Sequence, residues 1–358
     1  LSRSTAPATI APTAPAQEQT VARYTILTPD AQHDDDHAVE REIAGGDVEF
    51  LHYVSDDAAR IPEADWARAD ALLVWHVLPI DQRVISRLDA CRIIVRCGVG
   101  FDHIDLAACG AAGIPVCNTP DYGTNEVADH AIALMLSFSR GLPAYHRTMT
   151  ADPVGNFHWR HGEPRRIRHR TFGVVGFGRI GTAAALRAKA FGMHVVGYDK
   201  YAPRGQEIAL EIERVESLDE LLERADVVSL HTPLTDETHG MIDAAALKRM
   251  KPDAILINTA RGPIIDTAAL IDALRAGEIA AAGLDVLPVE PASLDDPLVT
   301  AFAAQPDWLK DRLILTPHAA FNSPDGRYDA RANATRTLMR YLETGELWNC
   351  VNAPDLAG

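Results

Sequence analysis

Nowhere in the 358 residues does an apolar run reach the ~18 positions that a membrane-crossing helix needs, so no spanning segment is expected. Positive charge is in short supply: 34 Lys and Arg stand against 50 Asp and Glu, a formal net charge of −16. Such a surface repels nucleic acid and anionic membranes, and neither is expected as a partner. An anionic metabolite remains compatible, because a local cluster of arginines overrides the global field. Cysteine is scarce and odd in number. Cys91, Cys97, Cys109, Cys117 and Cys350 form no C-x-x-C pair, and most sit inside apolar runs. That usage argues against a disulfide framework or a zinc site and predicts buried thiols in a reducing compartment, the cytoplasm. A G-x-S-x-G elbow and a P-loop lysine are also missing, which removes the sequence basis for serine hydrolysis or phosphoryl transfer. No repeat of solenoid length is found.

What is present suggests roughly two domains with ordinary globular composition, 47% hydrophobic and 23% charged. Residues 1–21, rich in Ala, Pro and Thr, lack a basic n-region and an apolar core; they read as a disordered tail and not a signal peptide. From Arg23 onward short apolar strands (RYTILTPD, DVEFLHYV, ALLVWHV, RIIVRCG, IPVCN) alternate with helical stretches. A long helical pattern follows, interrupted at Gly141 and Pro143. A second βα series opens at Thr171 with the strands TFGVVGF, HVVGYD, DVVSLH, AILINTA, IAAAGLDV and RLILTPH. A final helix over about Asp325 to Thr344 closes the chain. The expectation is α/β: two doubly wound parallel sheets, a Rossmann domain inserted into a flavodoxin-like one. The boundaries expected are 22–122 plus 318–353 for the outer domain and 123–317 for the inner.

Two segments carry glycines directly after a strand. IIVRCGVGFDHID fails the G-x-G-x-x-G pattern, because His103 stands where the third glycine should be. VVGFGRIG completes it, spanning Val175, Gly176, Phe177, Gly178, Arg179, Ile180 and Gly181 between a strand and a helix. Gly176 would make the turn, Gly178 would admit a pyrophosphate to the backbone, and Gly181 would let helix and strand pack closely. Asp199 ends the next strand, 18 residues after Gly181. A carboxylate there accepts bonds from an adenosine ribose and repels a 2′-phosphate, so NAD is expected over NADP. Lys200 and Arg204 soften that preference.

Later strand ends bear Arg261 in INTARGPIID, Asp285 and Glu290 in GLDVLPVEP, and His318 in LTPHAAF. Together with VRCGVGFDHID and VVGFGRIG, these segments resemble the D-isomer-specific 2-hydroxyacid dehydrogenases over about residues 23–353. LRAKAFG, TPHAAF, NCVN and His76 in LVWHVLP are similar to the C-terminal-binding-protein branch of that family. The resemblance implies NAD-dependent interconversion of a 2-keto acid and a D-2-hydroxy acid. It implies that His318 is the acid/base, that Glu290 orients its ring and favours the charged form, and that Arg261 grips the carboxylate and carbonyl. Backbone amides of Gly98, Val99 and Gly100 would hold the other end of the carboxylate as an anion nest. Asp285 is assigned to the nicotinamide carboxamide, with Thr232, Thr238, Thr259 and Ala260 facing the same cofactor. His76 and Phe321 would line the substrate pocket; Phe321 replaces the tryptophan of that branch, which changes the pocket. Arg96 either adds positive potential or sits in a salt bridge. The resemblance further implies substrate binding between the domains with hinge closure, and a homodimer through the helix near residues 124–140. An NAD(H)-sensing, corepressor-like binding protein with weak activity is the alternative.

Two conspicuous runs are set aside. HDDDH, His33 to His37, looks like a metal box, but its acids are explained as helix N-terminal capping, so no metal is expected. RRIRHR, Arg165 to Arg170, reads as a solvated connector or subunit contact.

Overall fold

The computed structural model describes residues 22–161 and 164–356; the expected tail lies outside the described residues. The apolar runs form strands because each is buried on both faces, as parallel strands covered by helices must be. The first sheet comprises β1 (Tyr24–Thr28), β2 (Val48–His52), β3 (Ala71–Val74), β4 (Ile93–Arg96) and β5 (Val116–Cys117). They run parallel in the order β2-β1-β3-β4-β5, the flavodoxin-like arrangement.

The second sheet comprises β6 (Thr171–Val175), β7 (His194–Tyr198), β8 (Glu213–Arg214), β9 (Val227–Leu230), β10 (Ile255–Asn258), β11 (Ala281–Leu284) and β12 (Leu313–Leu315). Its order, β12-β11-β10-β9-β6-β7-β8, reverses direction between β6 and β9. Ligands of open α/β sheets bind at such a switch point, beyond the carboxyl ends of the strands.

Helix starts are marked in the sequence. Asp81, Asp105, Ser217, Asp243, Asp266, Asp296 and Ser323 each accept a backbone N–H of the helix they precede. Each such cap contributes about 1 kcal/mol. The long helical pattern breaks where expected, into helices Thr124–Ser139 and Leu142–Ala151, with Gly141 left-handed between them at φ 64°. The last helix, Pro324–Thr344, returns to the first sheet and buries Ala334, Leu338 and Leu342 against Ile26, Leu73 and Val95.

Helix Thr124–Ser139 spends its apolar face inside its own chain. Ala131, Leu134 and Met135 pack with Phe172, Val174 and Ile257, and Leu134 presses on Gly283. All five cysteines are free, and burial pushes the Cys109 and Cys117 thiols up to about 12. Among the described residues no helix is long and apolar enough to cross a membrane. In the basic connector, Arg165 pairs with Asp253, and Arg170 with both Asp226 and Asp253.

Candidate active site

The loop after β12 places His318 in the left-handed region at φ 51°, a strained backbone for a residue with a side chain. Asp285, 1% exposed at the end of β11, holds it there. Its carbonyl accepts the His318 N–H at 2.7 Å, and its carboxylate accepts the N–H groups of Ala319 (2.9 Å) and Ala320 (2.8 Å). The His318 ring then meets Glu290, with Nδ1 2.6 Å from Oε2. The other Glu290 oxygen accepts the Leu287 N–H at 2.9 Å. Burial acts to raise the Glu290 pKa, but His318 and the Leu287 N–H outweigh it and keep the carboxyl below its ordinary value. An ionised Glu290 fixes a proton on Nδ1 and leaves Nε2 as the exchangeable nitrogen.

Two guanidinium groups share the space opposite. Arg261, just past β10, donates from Nε to Asp102 at 2.8 Å and from Nη1 to its neighbour's carbonyl, that of Ala260. Arg96, at the end of β4, is 4% exposed and donates from Nη1 to the Cys97 carbonyl at 2.6 Å. Its Nε has no hydrogen-bond partner among the described residues. Burial pushes its pKa down; Arg261 acts in the same direction, and Tyr122 opposes it. Among the described residues Arg96 has no carboxylate within ion-pair distance.

Gly98 and Gly100 leave room for two guanidinium groups in their present positions, which the sequence did not reveal; a side chain at either would make the arginine move. A Cβ on either would lie 1.3 Å from an arginine nitrogen, Arg96 Nη1 at Gly98 and Arg261 Nη2 at Gly100. His76, after β3, lies with its ring 5.1 Å from that of His318. Burial, then the charges of Arg96 and His318, push its pKa down to about 3, so it is neutral at ordinary pH. Phe321 stands edge-on to Tyr122 and to His318, at 6.0 and 6.3 Å between ring centres.

The glycines of VVGFGRIG differ in their surroundings as the motif requires. Gly176 turns at φ 97°, and a Cβ on Gly181 would meet the Gly176 carbonyl at 1.9 Å, whereas Gly178 faces open space. Helix Arg179–Ala190 starts there, directing unpaired N–H groups and a positive dipole at the opening. Among the described residues the hydroxyls of Thr232 and Thr259 are buried without a hydrogen-bond partner, and both line the cleft. Orphaned donors beside an open helix N-terminus fit a dinucleotide.

Not every cofactor candidate joins them. Thr238 is drawn into a turn, donating to the Pro233 carbonyl at 2.7 Å. Val175 is in the core, and the Phe177 ring covers Gly197. The Asp199 carboxylate accepts three backbone N–H groups, from Phe177, Tyr201 and Ala202, at 2.7–2.8 Å.

The resulting cavity, about 320 Å³, lies between the two sheets. Arg96, Val99 and Gly100 reach it from one side; Gly178, Arg179, Ile180, Thr232, Thr259, Ala260, Arg261, Asp285 and His318 reach it from the other, with Phe321 at its edge. Sequence reasoning missed Asp102, Asn118 and Tyr122, which also line it. It also missed Asp30, which shapes the loop carrying His76 by accepting the N–H groups of Trp75, Val77 and Leu78. Asp102 lies inside the quoted VGFDHID segment, but its partner is 159 residues away.

A doubly wound sheet with a glycine-rich helix start, facing a second parallel-sheet domain across an arginine- and histidine-lined cleft, defines a two-domain α/β fold of the dinucleotide-binding type. Residues 132–320 match the family described as D-isomer specific 2-hydroxyacid dehydrogenase, NAD binding domain, and the chain belongs to that family. It is 39% identical over 287 residues to D-3-phosphoglycerate dehydrogenase of Mycobacterium tuberculosis, covering 79% of this chain and 50% of that one. The chain thus spans about half the length of the curated relatives it matches first.

Among solved structures it is similar to an NADPH-dependent glyoxylate/hydroxypyruvate reductase of Sinorhizobium meliloti in complex with NADP and malonate. The TM-score is 0.80 at 30% identity, over 94% of this chain and 98% of that one. A D-lactate dehydrogenase of Aquifex aeolicus, complexed with NAD and lactic acid, matches with TM-score 0.76 at 30% identity, over 92% and 99% of the two chains. These relatives support the family; they lend nothing to the C-terminal-binding-protein branch within it.

Proposed function

We propose that the chain is an NAD-dependent D-2-hydroxyacid dehydrogenase that interconverts a 2-keto acid and a D-2-hydroxy acid. The observation that carries this is the His318–Glu290 pair, closed at 2.6 Å, whose His318 lines the same cavity as Arg96 and Arg261. A nicotinamide dinucleotide held at the Val175–Gly181 loop would supply or accept the hydride for the substrate carbon. His318 Nε2 gives a proton to the carbonyl oxygen in reduction and removes it from the hydroxyl in oxidation. Glu290 keeps the ring oriented and balances the charge it carries when protonated. Arg261 polarises the carbonyl and binds the carboxylate, displacing part of its bond to Asp102. Arg96 and the amides of Gly98, Val99 and Gly100 receive the rest of the anion. His76 and Phe321 bound the side-chain pocket.

On the cofactor side, the backbone from Val175 to Gly181 would hold the pyrophosphate; Thr232, Thr259 and Ala260 would line the nicotinamide side. Asp285 would meet the carboxamide; Thr238 would serve by holding the adjoining turn. Asp199 supports NAD over NADP because the nearby cations are already engaged. Lys200 pairs with Glu237, and Arg204 with Glu216 at 3.0 Å, leaving little free positive charge for a 2′-phosphate.

In this reading residues 22–122 plus 318–353 form the substrate domain, and residues 123–317 the dinucleotide domain. The protein acts as a cytoplasmic homodimer on a small 2-keto or 2-hydroxy acid, without nucleic acid or membrane. The corepressor-like alternative has no observation in its favour.

The test is NADH and NADPH oxidation against 2-keto acids running from glyoxylate to aromatic and thioether types. Turnover of one class with NADH preferred is expected, and His318→Ala should lower kcat by about 10²–10⁴-fold with NADH binding retained. No turnover across the panel, or an active His318→Ala enzyme, overturns the assignment.

A further inference from the structure

A second site stands apart from the cleft, at the edge of the first sheet. The HDDDH run does cap the following helix, but through one acid: Asp35 accepts the Ala38 N–H at 3.0 Å. His37 is the N-cap residue, but through its backbone alone, its carbonyl accepting the Arg41 N–H at 2.8 Å; neither histidine ring takes part in the cap. Both rings turn inward and meet His52, the last residue of edge strand β2, so that three imidazoles each present a nitrogen within 4.8 Å of the others.

The nearest pair, His37 Nε2 and His52 Nδ1, is separated by 3.2 Å. Two nitrogens on a tetrahedral ion with bonds of about 2.0–2.1 Å lie about 3.3 Å apart. The pair, hydrogen-bonded to each other in the absence of an ion, thus already has the spacing of a coordination edge. His37 is completely buried, and among the described residues neither its Nδ1 nor either nitrogen of the nearly buried His33 makes a hydrogen bond; the His33 nitrogens face carboxylates instead, Nδ1 3.5 Å from Asp35 and Nε2 3.8 Å from Glu40. His37 is also left-handed at φ 53°, a strain the cluster must sustain.

The surroundings match a ligand set. Glu40 Oε2 lies 3.7 Å from His37 Nδ1, on the far side of the ring from His52, the position from which a carboxylate orients a metal-bound histidine. Glu40 is itself anchored by Arg331, 2.6 Å away on the last helix, and Arg331 also pairs with Asp35 at 2.7 Å. Two carboxylates against one guanidinium leave the cluster net negative. The Phe50 ring stacks on His37 at 4.9 Å and closes one side with apolar surface.

We propose that His33, His37 and His52 bind a divalent transition-metal ion, Zn²⁺ by ligand chemistry, clamping the loop after β1 to edge strand β2. Nitrogen donors in this number suit Zn²⁺ better than Mg²⁺ or Ca²⁺, which take oxygen. A water would complete the tetrahedron. The site is independent of the dehydrogenase reading, and its test does not use activity.

Chelator-stripped protein is titrated with Zn²⁺ against a chromophoric indicator, and melting is followed with and without the ion. Saturable binding of a single equivalent and a Tm raised by a few degrees are expected, with His33→Gln and His52→Gln losing both. Binding unchanged in both variants would place the ion elsewhere and overturn the proposal, as would no saturable binding. Should the variants fail to fold, Co²⁺ on the unaltered protein decides. Intense tetrahedral visible bands support the site; weak octahedral ones or none sink it.

Discussion

A guanidinium as deeply buried as that of Arg96, sharing a cavity with a second one, opposes folding unless an anion comes to it. The side chain is thus expected to cost stability in the free protein and to repay that cost on binding. Arg96→Met keeps most of the volume and removes the charge. KM for the preferred 2-keto acid should rise at least about tenfold, equivalent to ~1.4 kcal/mol, with NADH affinity unchanged and Tm equal or higher. A lower Tm with unaltered KM would make Arg96 a structural residue. The glycines show the complementary logic at the same scale: Gly181 has the Gly176 carbonyl where its Cβ would go, and Gly178 has room for a ligand.

Among the elements, β6 and β9 flank the switch point, and their amino ends are joined by Asp226. Its carboxylate accepts the Thr171 N–H at 2.7 Å and pairs with Lys251 and Arg170. Burial acts to raise its pKa, but these partners outweigh it and hold the value below the ordinary range. A carboxyl depressed in the folded state adds stability above its unfolded pKa, about 3.9, and loses it as pH falls through the folded value. Asp226→Asn should lower stability by roughly 1–2 kcal/mol at pH 7, with the deficit shrinking below about pH 3.9. Melting curves of both proteins at pH 7 and pH 3 check this; a deficit independent of pH would mean that charge is not the cause.

Strand positions were readable from apolar runs, and the break at Gly141 from the Gly-x-Pro spacing. Helices Glu63–Arg68 and Gln206–Leu210 and the two-residue strand β8 were not anticipated. Each is too short to establish a period, and each is stabilised by what it packs against.

At the scale of the whole molecule, the helix near residues 124–140 is mostly consumed within its own chain, leaving Asn125, Asp129, Ala133 and Arg140 outward. Exposed apolar surface lies just beyond it, at Val154, Phe157 (81% exposed) and Trp159 (77%). If the proposed homodimer forms, that segment is the part of the pairing face that gains most from burial. Phe157→Asp combined with Trp159→Asp should convert dimer to monomer in sedimentation, with the monomer fold intact by far-UV circular dichroism. An unchanged mass would move the interface to another face.

The amino-acid sequence by itself determined the βα alternation, the two parallel sheets and the dinucleotide loop. Those depend on requirements met within a few residues: apolar burial along a strand, caps at helix starts, and glycines where backbone must turn or approach closely. It also set the order of Arg261, Glu290 and His318 along the chain. Only the tertiary structure decided that Arg261 meets Asp102, that Arg96 is buried beside it, that Asp285 tethers the His318 loop, and that His33 and His37 face His52. Those meetings depend on which strand ends the sheet order and crossovers bring together, and the local pattern along the chain carries no record of that distance.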